Sequence, residues 1–167
     1  MQIMDLLNPD DIVLGLPARG KSAVIDALAA RLSQRTGVGK DRLLTALAAR
    51  ERLGSTAINQ GVAIPHAHLD DLAEPAAAFA RLEHPVEFGA LDGGPVDLVF
   101  AFIWPTRCKD GFLQNLAPMC RLLRQADLLV RLRQAKTPEE IGLCLNEASA
   151  HPLPPRSTSL GLGQLRA

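Results

Sequence analysis

Gly61-Val62-Ala63-Ile64-Pro65-His66-Ala67-His68 is the stretch on which the fold of this chain turns. Val62-Ala63-Ile64 is a short apolar run of strand character, and Pro65 stops it because proline cannot donate to a ladder. His66 is therefore expected to project from a strand end or a loop. Upstream, polar Ser55 to Gln60 reads as a turn. Asp41 to Arg52 precedes it, with Leu43, Leu44, Leu47 and Ala48 at helical spacing, and Gly54 stands where a C-terminal cap belongs. Ser22 to Leu32 repeats that period, and Asp11 to Leu14 is a short strand before it. Downstream, Ala76 to Leu82 and Val96 to Ile103 read as buried strands, parted by the turn Asp92-Gly93-Gly94-Pro95. The last third is helical: Leu113 to Arg124 with Pro118 inside it, Ala126 to Ala135, and a helix opened by the capping box of Thr137 and Glu140. The order of strand, two helices, three strands and three helices predicts an α/β domain in which helices cover a mostly buried sheet.

Composition narrows the class. The chain has 167 residues, with 18 basic against 18 acidic side chains. That length is one domain, placed at residues 1–150 with a Pro/Gly-rich tail at 151–167. Zero formal charge argues against nucleic acid, whose phosphates call for a basic stripe, and against polybasic attachment to membranes. The longest apolar run, Leu98 to Pro105, falls well short of the roughly 20 residues that span a bilayer, so no membrane insertion is expected. Cys108, Cys120 and Cys144 have no CxxC spacing and suggest a reducing compartment. With no signal-peptide pattern at the start, the expectation is a cytoplasmic protein.

Two motifs compete for the function. Gly15-Leu-Pro-Ala-Arg-Gly20-Lys21-Ser22 matches the phosphate-binding pattern G-x-x-x-x-G-K-S and lies between an apolar run and a helix. Against it stand the very short strand before Gly15 and the lack of a later apolar strand ending in Asp to serve a nucleotide-bound magnesium. The competing reading is a strand-to-helix turn in which Lys21 is a solvated residue at the helix start.

The second motif is the histidine segment itself. An imidazole at His66 can be an acid or base, a metal ligand, a nucleophile or a solvated side chain. His66 and His68 share one side of an extended segment, but only Asp70 and Asp71 stand near as further ligands, so no metal is assigned.

The flanking residues resolve the choice. Arg50-Glu51, Gly54-Ser55-Thr56 and Ala63-Ile64-Pro65-His66 resemble the phosphorylation segment of the mannitol/fructose class of enzyme IIA of the bacterial phosphotransferase system. Leu82-Glu83-His84-Pro85-Val86-Glu87-Phe88, Leu91-Asp92-Gly93-Gly94-Pro95-Val96 and Leu98-Val99-Phe100 resemble its middle strands, and the likeness covers about residues 5 to 148. A lone chain of this kind is most similar to the nitrogen-regulatory branch. The resemblance implies a three-layer α/β/α sandwich with a mixed sheet, like mannitol IIA. It implies a phosphoryl group carried on the tele nitrogen (Nε2) of His66, supplied by an HPr-like carrier and needing no cofactor, and regulatory target proteins that read the phosphorylation state. Arg50 is the candidate cation for the phosphoryl oxygens, and Ser55 and Thr56 are candidate hydroxyl donors. The family's second active-site histidine falls in register with Gln114, with Phe112 nearby, and His68 is the residue placed to compensate. Ala67, Leu69 and Trp104 are the apolar residues expected around His66 on a partner-facing surface. The alternatives are a IIA of a sugar transporter, an unphosphorylated binding module, and a P-loop nucleotide binder.

Overall fold

The computed structural model describes residues 3–150; the assignment of 151–167 as a tail lies outside the described residues. A short helix α1 (Ile3–Leu6) leads into β1 (Ile12–Leu16), followed by α2 (Lys21–Thr36) and α3 (Lys40–Arg52). The strands β2 (Ala57–Asn59), β3 (Val62–Ala63), β4 (His66–Leu69), β5 (Ala76–Val86) and β6 (Val96–Pro105) come next, and α4 (Lys109–Leu122), α5 (Ala126–Gln134) and α6 (Pro138–Ala150) close the chain. The capping box opens α6 in altered form. Thr137 Oγ1 accepts the Glu140 N–H at 3.3 Å, but the Glu140 carboxylate reaches past Thr137 to the N–H of Lys136 at 2.6 Å.

The sheet order is β1-β5-β6-β3-β2, with β4 also paired to β6. β1 runs parallel to β5, β3 and β4 run parallel to β6, and the β5–β6 and β2–β3 pairs are antiparallel, so the sheet is mixed as expected. Side chains of β6 alternate between two cores. Leu98, Phe100, Phe102 and Trp104 pack with α4, α5 and α6, while Val99, Ala101 and Ile103 face α2 and α3. On the α2–α3 side, β5 presents Ala76, Ala78 and Ala80, small side chains that leave room for the two helices. Helices on both faces of a buried sheet give the three-layer sandwich.

Two features of the sheet place the site. The line formed by β3 and β4 runs alongside β6, Val62 opposite Leu98 and His66 opposite Phe102, and only Ile64-Pro65 interrupts it. The Pro65 carbonyl still accepts the Phe102 N–H at 2.9 Å, so the interruption is held in register. The β2–β3 turn closes at Gly61, whose φ of +79° strains any other residue; a Cβ there would also lie 2.7 Å from Arg133 Nη2 and Asp97 Oδ1 and displace that ion pair. His66 thus opens a strand rather than hanging from a loop, because Pro65 ends one ladder segment and the next begins immediately.

Candidate functional site

His66 is half-buried, and each of its ring nitrogens has a defined partner. Nδ1 lies 2.9 Å from the Ile64 carbonyl, and Nε2 lies 3.1 Å from Arg50 Nε. A carbonyl can only accept and a guanidinium can only donate, so the proton sits on Nδ1 and the lone pair on Nε2. Nε2 is therefore the nitrogen that carries the lone pair, and the group facing it is a cation. Arg50 comes from the last turn of α3 and is steadied by a second bond from Nη1 to the Gly54 carbonyl at 3.1 Å.

Beneath this pair lies a carboxylate. Glu51 is 7% exposed and sits in the last turn of α3, where the helix dipole disfavours an acid. It accepts the Thr56 N–H at 3.1 and 3.2 Å, the Thr56 hydroxyl at 2.5 Å, and Lys21 Nζ at 2.9 Å. Lys21 Nζ also lies 5.0 Å from the centre of the Phe88 ring. The expectation that Lys21 is a solvated helix-start residue is corrected here: its side chain is turned inward to neutralise a buried carboxylate. The ammonium that a P-loop would direct at phosphate is engaged by Glu51, and Gly15-Leu16 are still part of β1.

The two hydroxyls are committed elsewhere. Ser55 Oγ donates to the Phe88 carbonyl at 2.6 Å and accepts the Ala57 N–H at 3.2 Å, and the Thr56 proton goes to Glu51. Each hydroxyl has one proton, so neither is a donor to a phosphoryl group here; both hold the loop that leads to β2.

On the open side, Phe112 packs against both histidines. Its ring centre lies 5.3 Å from His66 and 4.5 Å from His68, the latter edge-on. Gln114 is exposed and does not line the site. The position facing His66 from α4 is thus occupied by a phenyl ring, and the register that put Gln114 there is off by two residues. His68 is exposed two positions along β4 and borders the same depression, of about 690 Å³, as Ala49, Arg50, Leu53, His66 and Phe112. Trp104, Ala67 and Leu69 are buried at 3%, 5% and 4% exposure, so the expectation that they form an apolar surface around His66 is corrected; Ala67 only lines the depression, and the exposed apolar side chain on its rim is Leu53, at 86%. Trp104 is core, with Nε1 donating to the Cys108 carbonyl at 3.0 Å. Among the described residues no three His, Cys, Asp or Glu side chains come together as a metal site, and no helix is long and apolar enough to cross a membrane.

Of these residues, Glu51, Lys21 and Phe112 were not assigned to the site from sequence. An acid at a helix C-terminus was a usable signal for Glu51, since only a tertiary partner offsets its unfavourable place in the dipole. The inward turn of Lys21 and the phase of α4 left no such mark.

Burial pushes the His66 imidazole below its ordinary value near 6.5. The bond to the Ile64 carbonyl opposes that, the Arg50 guanidinium and His68 reinforce it, and the Glu51 charge opposes it. This favours the neutral ring, whose Nε2 lone pair accepts from Arg50. Because the folded chain binds this proton more weakly than the unfolded one, the His66 contribution to stability is intact above the unfolded value. It is lost progressively as pH falls below that value toward the folded one. Phe112→Leu, which opens one face of the ring to water, raises the His66 pKa toward the ordinary value in an NMR titration of the imidazole. An unchanged titration would show that Phe112 contributes nothing to the desolvation.

Fold and site together define an α/β protein built around one half-buried histidine whose Nε2 meets a guanidinium. The profile of the phosphoenolpyruvate-dependent sugar phosphotransferase system EIIA 2 family matches residues 5–148, and the chain belongs to that family, as a phosphocarrier component of the system. It is 38% identical over 141 residues to a nitrogen regulatory protein of Bradyrhizobium diazoefficiens, covering 84% of this chain and 92% of that one. It is 33% identical to a nitrogen regulatory protein of Pseudomonas aeruginosa, with coverage of 84% and 92%. Among solved structures, the nitrogen regulatory protein IIA-Ntr of Neisseria meningitidis superposes with a TM-score of 0.81 at 30% identity, over 84% of this chain and 97% of that one.

Proposed function

We propose that this protein accepts a phosphoryl group on Nε2 of His66 from the phosphohistidine of a small HPr-like carrier in the cytoplasm, and that the phosphorylated and free forms bind regulatory target proteins differently. The observation that carries the reading is the split of partners at His66, with Nδ1–H bonded to a carbonyl and the Nε2 lone pair turned toward Arg50.

The reaction asks for little beyond positioning and charge. The Nε2 lone pair attacks phosphorus in line. The P–N bond to the donor histidine breaks, and its electron pair returns to the donor ring. Arg50 leaves the lone pair it had capped and meets the phosphoryl oxygens, whose spread charge suits a planar guanidinium. The Ile64 carbonyl steadies the proton on Nδ1 as the ring gains positive character. Leu53 gives a carrier an apolar footing, and Arg50 and Arg52 line the same depression. A phosphoryl group adds roughly −1.5 to −2 of charge there, enough to repel acidic partners and recruit basic ones.

Incubation with phosphoenolpyruvate and the general carriers of the system, followed by intact-mass measurement, tests the reading. One phosphoryl group is expected, labile in acid and stable in base, because a phosphoramidate cleaves once its nitrogen is protonated. No uptake, or uptake stable to acid, would overturn it.

A further inference from the structure

The stretch Gly15 to Ser22, so close to a nucleotide-binding loop in its letters, holds a lysine that is paired with a glutamate and through it linked to both nitrogens of His66. Lys21 Nζ meets Glu51 Oε1 at 2.9 Å. Glu51 holds the N–H and hydroxyl of Thr56. The Thr56 carbonyl accepts the Ile64 N–H at 2.9 Å, and the Ile64 carbonyl in turn accepts the His66 Nδ1 proton at 2.9 Å. On the other side Arg50, the residue before Glu51, bonds His66 Nε2 and the carbonyl of Gly54, two residues before Thr56. The segment 54–56 therefore backs both partners of the imidazole, and one carboxylate pins that segment. The carboxylate is nearly out of water, and Lys21 is the cation bonded to it.

We propose that Lys21 is a positioning residue for phosphoryl transfer: it neutralises Glu51, keeps that carboxylate on Thr56, and so fixes the peptide segment that aims His66 and Arg50. The inference rests on the reading of His66 as the acceptor. Without Lys21, a buried carboxylate left uncompensated draws in water or swings outward, and Thr56 is released. The Ile64 carbonyl then no longer holds the proton on Nδ1, and the ring samples the tautomer in which Nε2 is blocked. Lys21 touches no reacting atom, so its loss affects the transfer step rather than carrier binding.

Four variants test this: Lys21→Met, Lys21→Arg, Glu51→Gln and the double variant Lys21→Met/Glu51→Gln. Lys21→Met slows transfer at saturating phosphorylated carrier by about 10- to 100-fold, the scale of a misplaced reacting group, with the half-saturating carrier concentration unchanged. Lys21→Arg restores part of the rate. In the Glu51→Gln background there is no buried charge to neutralise, so adding Lys21→Met lowers the rate no further. Nitrogen-15 spectra of the imidazole show a single Nδ1–H tautomer in the wild type and a mixture in Lys21→Met. A folded Lys21→Met with wild-type rate and tautomer overturns the proposal. So does a further drop in rate when Lys21→Met is added to Glu51→Gln, a comparison that holds even if Lys21→Met alone does not fold. The tautomer spectra need no phosphoryl uptake, and continued labelling of His66→Asn would indict the choice of acceptor instead, so the two failures are told apart.

Discussion

His66→Asn takes up no phosphoryl group from the phosphorylated carrier and melts close to the wild type. An asparagine amide fills a similar space and can still bond the Ile64 carbonyl or Arg50, but its nitrogen has no free lone pair. The stability lost is about that of a hydrogen bond, roughly 1 kcal/mol, because the side chain is only half-buried. Arg50→Met keeps the nucleophile and removes the cation, and it lowers the transfer rate by about 10²–10³, the usual cost of deleting one charge-stabilising donor. Arg50→Lys recovers only part of this, since a single ammonium cannot hold the Gly54 carbonyl and face Nε2 in the plane a guanidinium does. Rates come from the time course of the mass shift, and stability from thermal unfolding. Wild-type labelling of His66→Asn would move the acceptor elsewhere, with His68 the next residue to replace.

Glu51→Ala produces the largest loss of stability among single changes near the site, about 3–5 kcal/mol, the range for breaking a buried ion pair from one side. The alanine leaves both Thr56 donors and the half-buried Lys21 ammonium without their acceptor. In a domain of this size that corresponds to a fall in melting temperature of about 10 °C or more. Glu51→Gln is milder, because its carbonyl can accept from Thr56 and only the partner of Lys21 is weakened. Urea unfolding of the three proteins measures the differences. A loss below about 1 kcal/mol in Glu51→Ala would mean that water replaces the carboxylate at little cost and that the network does not hold the loop.

Much of this architecture is written locally. The 3.6-residue period of Val24, Ile25, Leu28, Ala29 and Leu32 marks α2 because one face of a helix must be buried, and each of the five is buried. The apolar runs of β5 and β6 read as buried strands because both of their faces are covered. Ile64-Pro65-His66, with Arg50 before it, pointed to the histidine and its cation together. The strands β2 and β4 were not legible, being three and four residues long, too short to show a period; β2 pairs with β3 across a tight turn, and β4 is held by distant β6.

What the sequence by itself determined is the set of local periodicities and the chemistry available near His66. Only the tertiary structure decided which atoms meet. Phe112 and Gln114 are separated by about 200° around a helix, so an error of two residues in phase exchanges a ring against the histidine for a side chain in solvent. The nucleophilic nitrogen of His66 is chosen by a carbonyl two residues back and a guanidinium sixteen residues away, and no local preference distinguishes the two tautomers. Lys21 and Glu51 are thirty residues apart, and the packing of α2 against α3 brings them together. Propensity and period act over a few residues and bury a face. Hydrogen-bond partners and charge pairs are selected by closure of the whole chain, which is why the lysine of a nucleotide-like motif became the counterion of a buried glutamate.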